Sequence, residues 1–214
     1  MEKIILLGGG GHAKSVADAI LREGKYEIAG FVDNTHAKDS VYCGYRVIGS
    51  DNDLENLYSS GIHNAFVCVG YLGKSDIRGK LYKRLKEIGF RLPVIVDPSA
   101  VLAEEVMIGE GTFIGKGAIV NSCARIGEMV IINSGALIEH DCVVSDFCHI
   151  AVAGVLCGDV WVEENAFIGA NASVIQGIRI GANAVIGAGS VVVRDIPENC
   201  TAVGVPAKVI KMHE

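Results

Sequence analysis

The sequence predicts two unlike parts in one chain, a small parallel α/β sheet followed by a parallel β-helix. Two observations carry this. Over the first 95 residues short apolar runs alternate with segments of helical period; from Val96 onward the hydrophobic period becomes six and keeps that phase.

In the first part, residues 3–7 (KIILL) read as a buried strand, followed by four glycines and a helix over about 12–23 with Val16, Ile20 and Leu21 on one face. "YEIAGFVD" is a second strand. Ser50 and Asp53 resemble a helix cap ahead of Leu54 and Leu57. "AFVCVG" is a third strand, and "KSDIRGKLYKRLKEIG" a helix with Ile77, Leu81, Leu85 and Ile88 along one side. Strands alternating with helices imply a parallel sheet of three strands covered on both faces.

In the second part every sixth residue is aliphatic, from Val96, Leu102 and Ile108 through Ile186 and Val192, over seventeen hexads without an insertion. The fifth position is small in 12 of the 17, Ala118, Ala136, Cys142, Ala166 and Ser190 among them. Three hexads make one 18-residue coil of a triangular prism: the first residue points inward and the small fifth lets the chain turn. At roughly 4.8 Å between stacked strands such a prism is about 27 Å long. Flat sides and unpaired ends predict self-association and capping. The expected boundaries are 1–95 for the nucleotide-binding Rossmann-like domain, 96–197 for the β-helix and 198–214 for a tail.

Composition narrows the function classes. The chain is 50% hydrophobic and has 27 glycines but only 6% aromatics, which suits a core of Ile, Val and Ala. Seven cysteines without a CxxC speak against a disulfide framework or a zinc knuckle and for reduced thiols. Net charge is −6, concentrated in the second part, which disfavours nucleic acid. No apolar run reaches 18 residues, and "MEKIILLGGGGH" has no small-residue cleavage site, so the expectation is a cytoplasmic protein without membrane insertion.

Two stretches carry chemistry. "LLGGGGHAKSV" places Gly8-x-Gly10-x-x-Ala13 between a strand and a helix, with Asp33 ending the next strand. Backbone amides and a helix N-terminus there suit phosphate. Three strands hold a nucleotide diphosphate more readily than a full dinucleotide. His12 could reach beyond the phosphates or simply face solvent.

The second stretch is "IEHDCVV". His140 is third in its hexad, so it projects outward near a corner, with Asp141 or Glu139 able to fix its tautomer. One coil later, eighteen residues on, Gly158 stacks over it. A base beside an amide donor is what acyl transfer needs. His149 is half a coil away and faces the opposite side, so cooperation between the two histidines requires a subunit interface. Zinc between prisms is the rival chemistry, disfavoured because the solenoid offers only two histidines in that region. Cys142 and Cys148 occupy inward slots and read as packing residues rather than acyl carriers.

The motifs "GGGGHAK", "VDN", "VGY", "IEHDCVV", "FCHIAVA", "CGDV" and "VGVPAK" together resemble a group of hexapeptide-repeat sugar acetyltransferases. It contains UDP-4-amino-sugar N-acetyltransferases of the bacillosamine pathway, perosamine-type N-acetyltransferases and sialic acid O-acetyltransferases. The resemblance implies a left-handed β-helix, a homotrimer with active sites between subunits, and acetyl-CoA as co-substrate without a metal. It implies His140 as general base oriented by Asp141, with Gly158 as oxyanion donor and His149 among the active-site positions on the acetyl-CoA side. Gly9, Gly10, Gly11, His12, Asp33, Asn34, Gly70 and Asn133 would bind the nucleotide sugar. Gly204, Pro206 and Lys208 would lie near the nucleotide end of acetyl-CoA. Ala153 stands where this group usually has glycine. The implied reaction acetylates the 4-amino group of a UDP-linked 4-amino-4,6-dideoxy sugar. O-acetylation of a sialic acid or related sugar, an NAD-binding enzyme and a non-catalytic scaffold are the alternatives.

Overall fold

A computed structural model describes residues 1–70 and 76–213, which fall into two compact units. The first unit comprises residues 1–70 and 76–98, the second residues 99–213. Tyr71, at the end of the "VGY" motif, lies outside the described residues.

The first unit is built on a five-stranded sheet in the order β3-β4-β2-β1-β5. Its strands are β1 (Glu2–Leu7), β2 (Tyr26–Val32), β3 (Val41–Tyr42), β4 (Tyr45–Gly49) and β5 (Asn64–Val67). Ile4 to Leu7 on β1 and Phe31 and Val32 on β2 are buried, as central parallel strands require. The sheet has two strands beyond the expected three. β3 and β4 form an antiparallel hairpin around Cys43 and Gly44, both at positive φ, and β4 then pairs parallel with β2. Two-residue β3 is too short to show a period, which is why it escapes a pattern reading.

Helix α1 (Gly11–Glu23) buries Ala13, Val16, Ala17 and Ile20, spaced as one helical stripe. Leu21, expected on that face, is 68% exposed: it lies one residue, about 100°, past the stripe. Helix α2 (Leu54–Ser59) follows a 3₁₀ turn whose Ser50 and Asp53 form the expected capping box. Helix α3 (Ile77–Ile88) buries Leu81 and Leu85, with Ile88 half-buried. Ile77 is 45% exposed, contrary to expectation, and Arg78 takes the buried place in the first turn.

The second unit is a left-handed parallel β-helix of two-residue strands. Each strand pairs with the strand eighteen residues on, as Ile119 does with Leu137 and Leu137 with Val155. Strands such as Leu137–Ile138 and Val155–Leu156 make the first wall, Val143–Val144 and Trp161–Val162 the second, and Ile131–Ile132 and His149–Ile150 the third. The aliphatic first positions from Ile114 to Val192 are buried, while Leu102 and Ile108 in the opening coil are half-buried. A hairpin, Cys200–Gly204 with Ala207–Met212, closes the third wall.

The fourth hexad position has its own rule. From Gly111 through Cys123, Asp141 and Ala153 to Gly189, each carries a positive φ. Left-handed backbone favours Gly, Asn and Asp, and the repeat supplies these at most such positions. This device is what swings the chain around each corner after an outward-facing third residue.

Candidate functional site

His140 sits in the turn between the first and second walls, after Leu137–Ile138 and before Val143–Val144. Its neighbour Asp141 is left-handed, with φ 61°, and this places its carboxylate beside the imidazole: Nδ1 and Oδ2 are 2.8 Å apart. Both side chains are more than half exposed. The hydrogen bond to Asp141 is the main cause that raises the His140 pKa above its ordinary value; desolvation, the next largest influence, opposes it, and the charges of Asp141, Glu139 and Asp159 add to it. A hydrogen bond donated from Nδ1–H to the carboxylate leaves Nε2 as the acceptor.

Gly158 lies against this ring. A β-carbon built on it would stand 2.7 Å from both Cε1 and Nε2 of His140, so only glycine leaves the imidazole where it is. The main chain locks the stack: Asp159 N–H donates to the His140 carbonyl at 2.9 Å, and the Gly158 carbonyl accepts from Gly177 N–H at 3.0 Å. Among the described residues the Gly158 N–H has no backbone acceptor. A proton acceptor and an amide donor therefore share one corner. Cys142 faces the interior, its Sγ donating to the Cys157 carbonyl at 3.1 Å, and burial pushes its thiol up to about 11. It packs rather than reacts.

His149 is on the third wall, 8% exposed and edge-on to Phe167 at 5.2 Å between ring centres. Asn133 stands beside it, Nδ2 and Nε2 being 3.4 Å apart. Within one prism the structure thus separates two groups, His140 with Asp141 and Gly158 at one corner, and His149 with Asn133 across the prism. Asn133, expected with the substrate-binding set, is brought to His149. Gly204 adopts φ 106° at the turn of the closing hairpin and donates its N–H to Ser190 Oγ at 3.1 Å; Pro206 and exposed Lys208 follow in the same hairpin.

In the first unit, the glycine loop joins β1 to α1. Gly8 has φ 98°, which a side chain would strain. A β-carbon on Gly9 would lie 2.8 Å from His36 Cε1 and 3.2 Å from Asp33 Oδ2, whereas at Gly10, Gly11 and Gly70 it would meet nothing within 4 Å. One side of the loop is packed, and the side carrying Gly10 and Gly11 is open to a ligand, with His12 in the first turn of α1.

Asp33 holds the packed side. Oδ2 accepts from Gly9 N–H at 2.6 Å, while Oδ1 accepts from the N–H groups of Thr35 and His36 at 2.7 and 2.9 Å. Burial raises this carboxyl, but the bonds from Thr35 and His36 outweigh it and hold it far below the usual carboxylate range. Both oxygens are engaged within the protein. Asn34 is likewise paired with Asp51, donating from Nδ2 to Oδ2 at 2.7 Å and accepting from its N–H at 3.1 Å. His36, Tyr42 and Asp51 are members of this site that the sequence reading missed. The Cys43-Gly44 turn was the available signal, since it folds Tyr42 back toward the loop.

Among the described residues, no group of three His, Cys, Asp or Glu is arranged to hold a metal ion, and no helix is long and apolar enough to cross a membrane.

Comparison with known proteins matches residues 3–85 to the PglD N-terminal domain and residues 160–194 to the hexapeptide repeat of succinyl-transferase. The structure of PerB from Caulobacter crescentus in complex with CoA and GDP-perosamine is 39% identical, with TM-score 0.92 over 99% of this chain and 98% of that one. The acetyltransferase domain of PglB from Neisseria gonorrhoeae, in complex with acetyl coenzyme A, is 32% identical, with TM-score 0.89 over 98% and 99%. A 2,3,4,5-tetrahydropyridine-2,6-dicarboxylate N-acetyltransferase from Halalkalibacterium halodurans is 46% identical over 124 residues, 54% of this chain. The chain spans about half, 52%, of that curated relative's length.

Proposed function

The chain belongs to the hexapeptide-repeat N-acetyltransferases that carry a PglD N-terminal domain, and from that premise we propose that it transfers acetyl from acetyl-CoA to the amino group of a nucleotide-linked sugar. The observation that carries the reading is the His140 corner, where an imidazole oriented by Asp141 rests on a glycine that no other residue could replace without moving it. The finer form of the proposal is a UDP-linked 4-amino-4,6-dideoxy sugar as acceptor. Its diphosphate would lie on the open side of the glycine loop, at the start of α1, where amides and the helix dipole favour anions.

In the proposed reaction the sugar amine attacks the thioester carbonyl. A new C–N bond forms as the carbonyl electrons move onto oxygen. His140 Nε2 takes the proton from nitrogen, a role worth about 10²–10⁴-fold. The Gly158 N–H donates to the oxyanion, worth about 3–4 kcal/mol in comparable donors. Collapse of the intermediate breaks the C–S bond, and the departing thiolate recovers the proton held on His140. Because His149 and Asn133 are across the prism from His140, their participation requires a second copy, which supports a homotrimer with sites between subunits.

A thiol-release assay with acetyl-CoA and a panel of UDP-, GDP- and dTDP-linked 4-amino sugars tests the reading, with the product identified by mass spectrometry. N-acetylation of at least one amino sugar, absent with its 4-hydroxy counterpart, is the expected result. Release with sialic acid and with no amino sugar would overturn it in favour of O-acetylation.

A further inference from the structure

The packed side of the glycine loop holds a hydrogen-bonded network of its own. We propose that Tyr42 and His36 are positioning residues for the nucleotide diphosphate; the inference rests on the nucleotide-sugar reading.

Tyr42 Oη donates to the Gly10 carbonyl at 2.8 Å, which also accepts from Ala13 N–H at 3.1 Å. In a trans peptide the C=O and the following N–H point in opposite directions. Holding the Gly10 carbonyl toward Tyr42 therefore turns the Gly11 N–H the other way, to the side where a β-carbon on Gly10 or Gly11 would meet nothing. A peptide between two glycines resists rotation poorly, since neither residue has a β-carbon to exclude the alternative conformer. The Tyr42 bond reinforces the one from Ala13 in keeping its amide aimed.

His36 supports the preceding residue, Gly9. Its Nδ1 pairs with Asp33 Oδ1 at 3.0 Å, its ring lies against Gly9, and it meets Tyr42 at 5.0 Å between ring centres, the two planes tilted by 51°. Tyr42 in turn meets Phe31 of the buried sheet edge-on at 5.1 Å. The loop is thus tied to the core at consecutive residues, at Gly9 through its N–H and at Gly10 through its C=O. The tie at Gly10 leaves the Gly11 N–H on the opposite face for an anion. Neither side chain need touch the ligand.

The test is calorimetric titration of the full-length protein with UDP and GDP, alongside steady-state kinetics on the best amino-sugar substrate. Tyr42→Phe keeps the ring and its packing while removing the bond. It is expected to weaken nucleotide diphosphate binding roughly three- to ten-fold, the worth of one net hydrogen bond. The KM for the nucleotide sugar should rise with it, while kcat and the KM for acetyl-CoA stay the same and the melting temperature falls by no more than about 4 °C. Tyr45→Phe is the control: Tyr45 also packs on Phe31, at 6.2 Å, and should leave binding unchanged. Unaltered binding by Tyr42→Phe, an equal loss in Tyr45→Phe, or a fall in kcat alone would overturn the inference. Wild-type protein that binds neither UDP nor GDP and acetylates no nucleotide sugar would overturn the underlying reading instead.

Discussion

Replacing Gly158 by alanine should separate catalysis from folding. The added methyl would begin 2.7 Å from Cε1 and Nε2 of His140, and ordinary contact begins near 3.4 Å, so the ring must retreat by about 0.7 Å. Retreat is cheap for the fold: the imidazole is 55% exposed, and Gly158 is not among the positive-φ residues, so alanine meets no backbone strain. For the reaction it is expensive, because a displacement of about 1 Å at a reacting group costs about 10²-fold. The expected variant melts within about 0.5 kcal/mol of wild type yet shows kcat reduced roughly 30- to 100-fold. Thiol release at saturating acetyl-CoA and acceptor measures the rate, and thermal unfolding measures the fold. A wild-type rate, or a rate loss explained by unfolding, would refute the idea that His140 must stay seated on Gly158.

Further expectations follow from the same geometry. Asp141→Asn removes the largest contribution raising the His140 pKa; since the imidazole must be unprotonated to act, activity falls as pH drops, and the acidic limb of the kcat/KM profile should move to lower pH in the variant. Asp33→Asn should cost about 2 kcal/mol of stability at neutral pH. Its folded carboxyl titrates below the unfolded value of about 3.9, so that contribution is present above this pH and lost as pH falls, and the difference from wild type should shrink in acid melts. Gly117→Ala, at φ 62° with open space around it, should cost about 1 kcal/mol from backbone alone. Gly169→Ala should cost more, because its methyl would meet Ala188 N at 2.5 Å and the Ile186 carbonyl at 2.6 Å. Chemical denaturation of the pair distinguishes strain from collision.

Much of the second unit was legible because its period is arithmetic. Once Ile138 and Leu156 share a phase of eighteen, His140 and Gly158 must stack, and the structure stacks them. The left-handed fourth position is also written in the residues, as Asn165, Asn171 and Asn183, but more faintly than the aliphatic period. The first unit was harder. Leu21 and Ile77 depart from the expected helix phase, because an aliphatic residue can lie near an apolar stripe without belonging to it. Asp33 lies beside the glycine loop, yet a fingerprint says nothing of which hydrogen bonds a carboxylate has already accepted. Tyr42 was invisible for a similar reason: its reach to Gly10 depends on a two-residue strand and a tight turn, neither of which has a period.

Single-turnover acetyl transfer by His140→Ala, with nucleotide binding and unfolding followed on the same sample, tests the assignment of the chemistry to this corner. Intact folding and diphosphate affinity with the transfer rate lowered about 10²–10⁴-fold is the predicted result. Transfer at the wild-type rate by a folded, nucleotide-bound variant would contradict it.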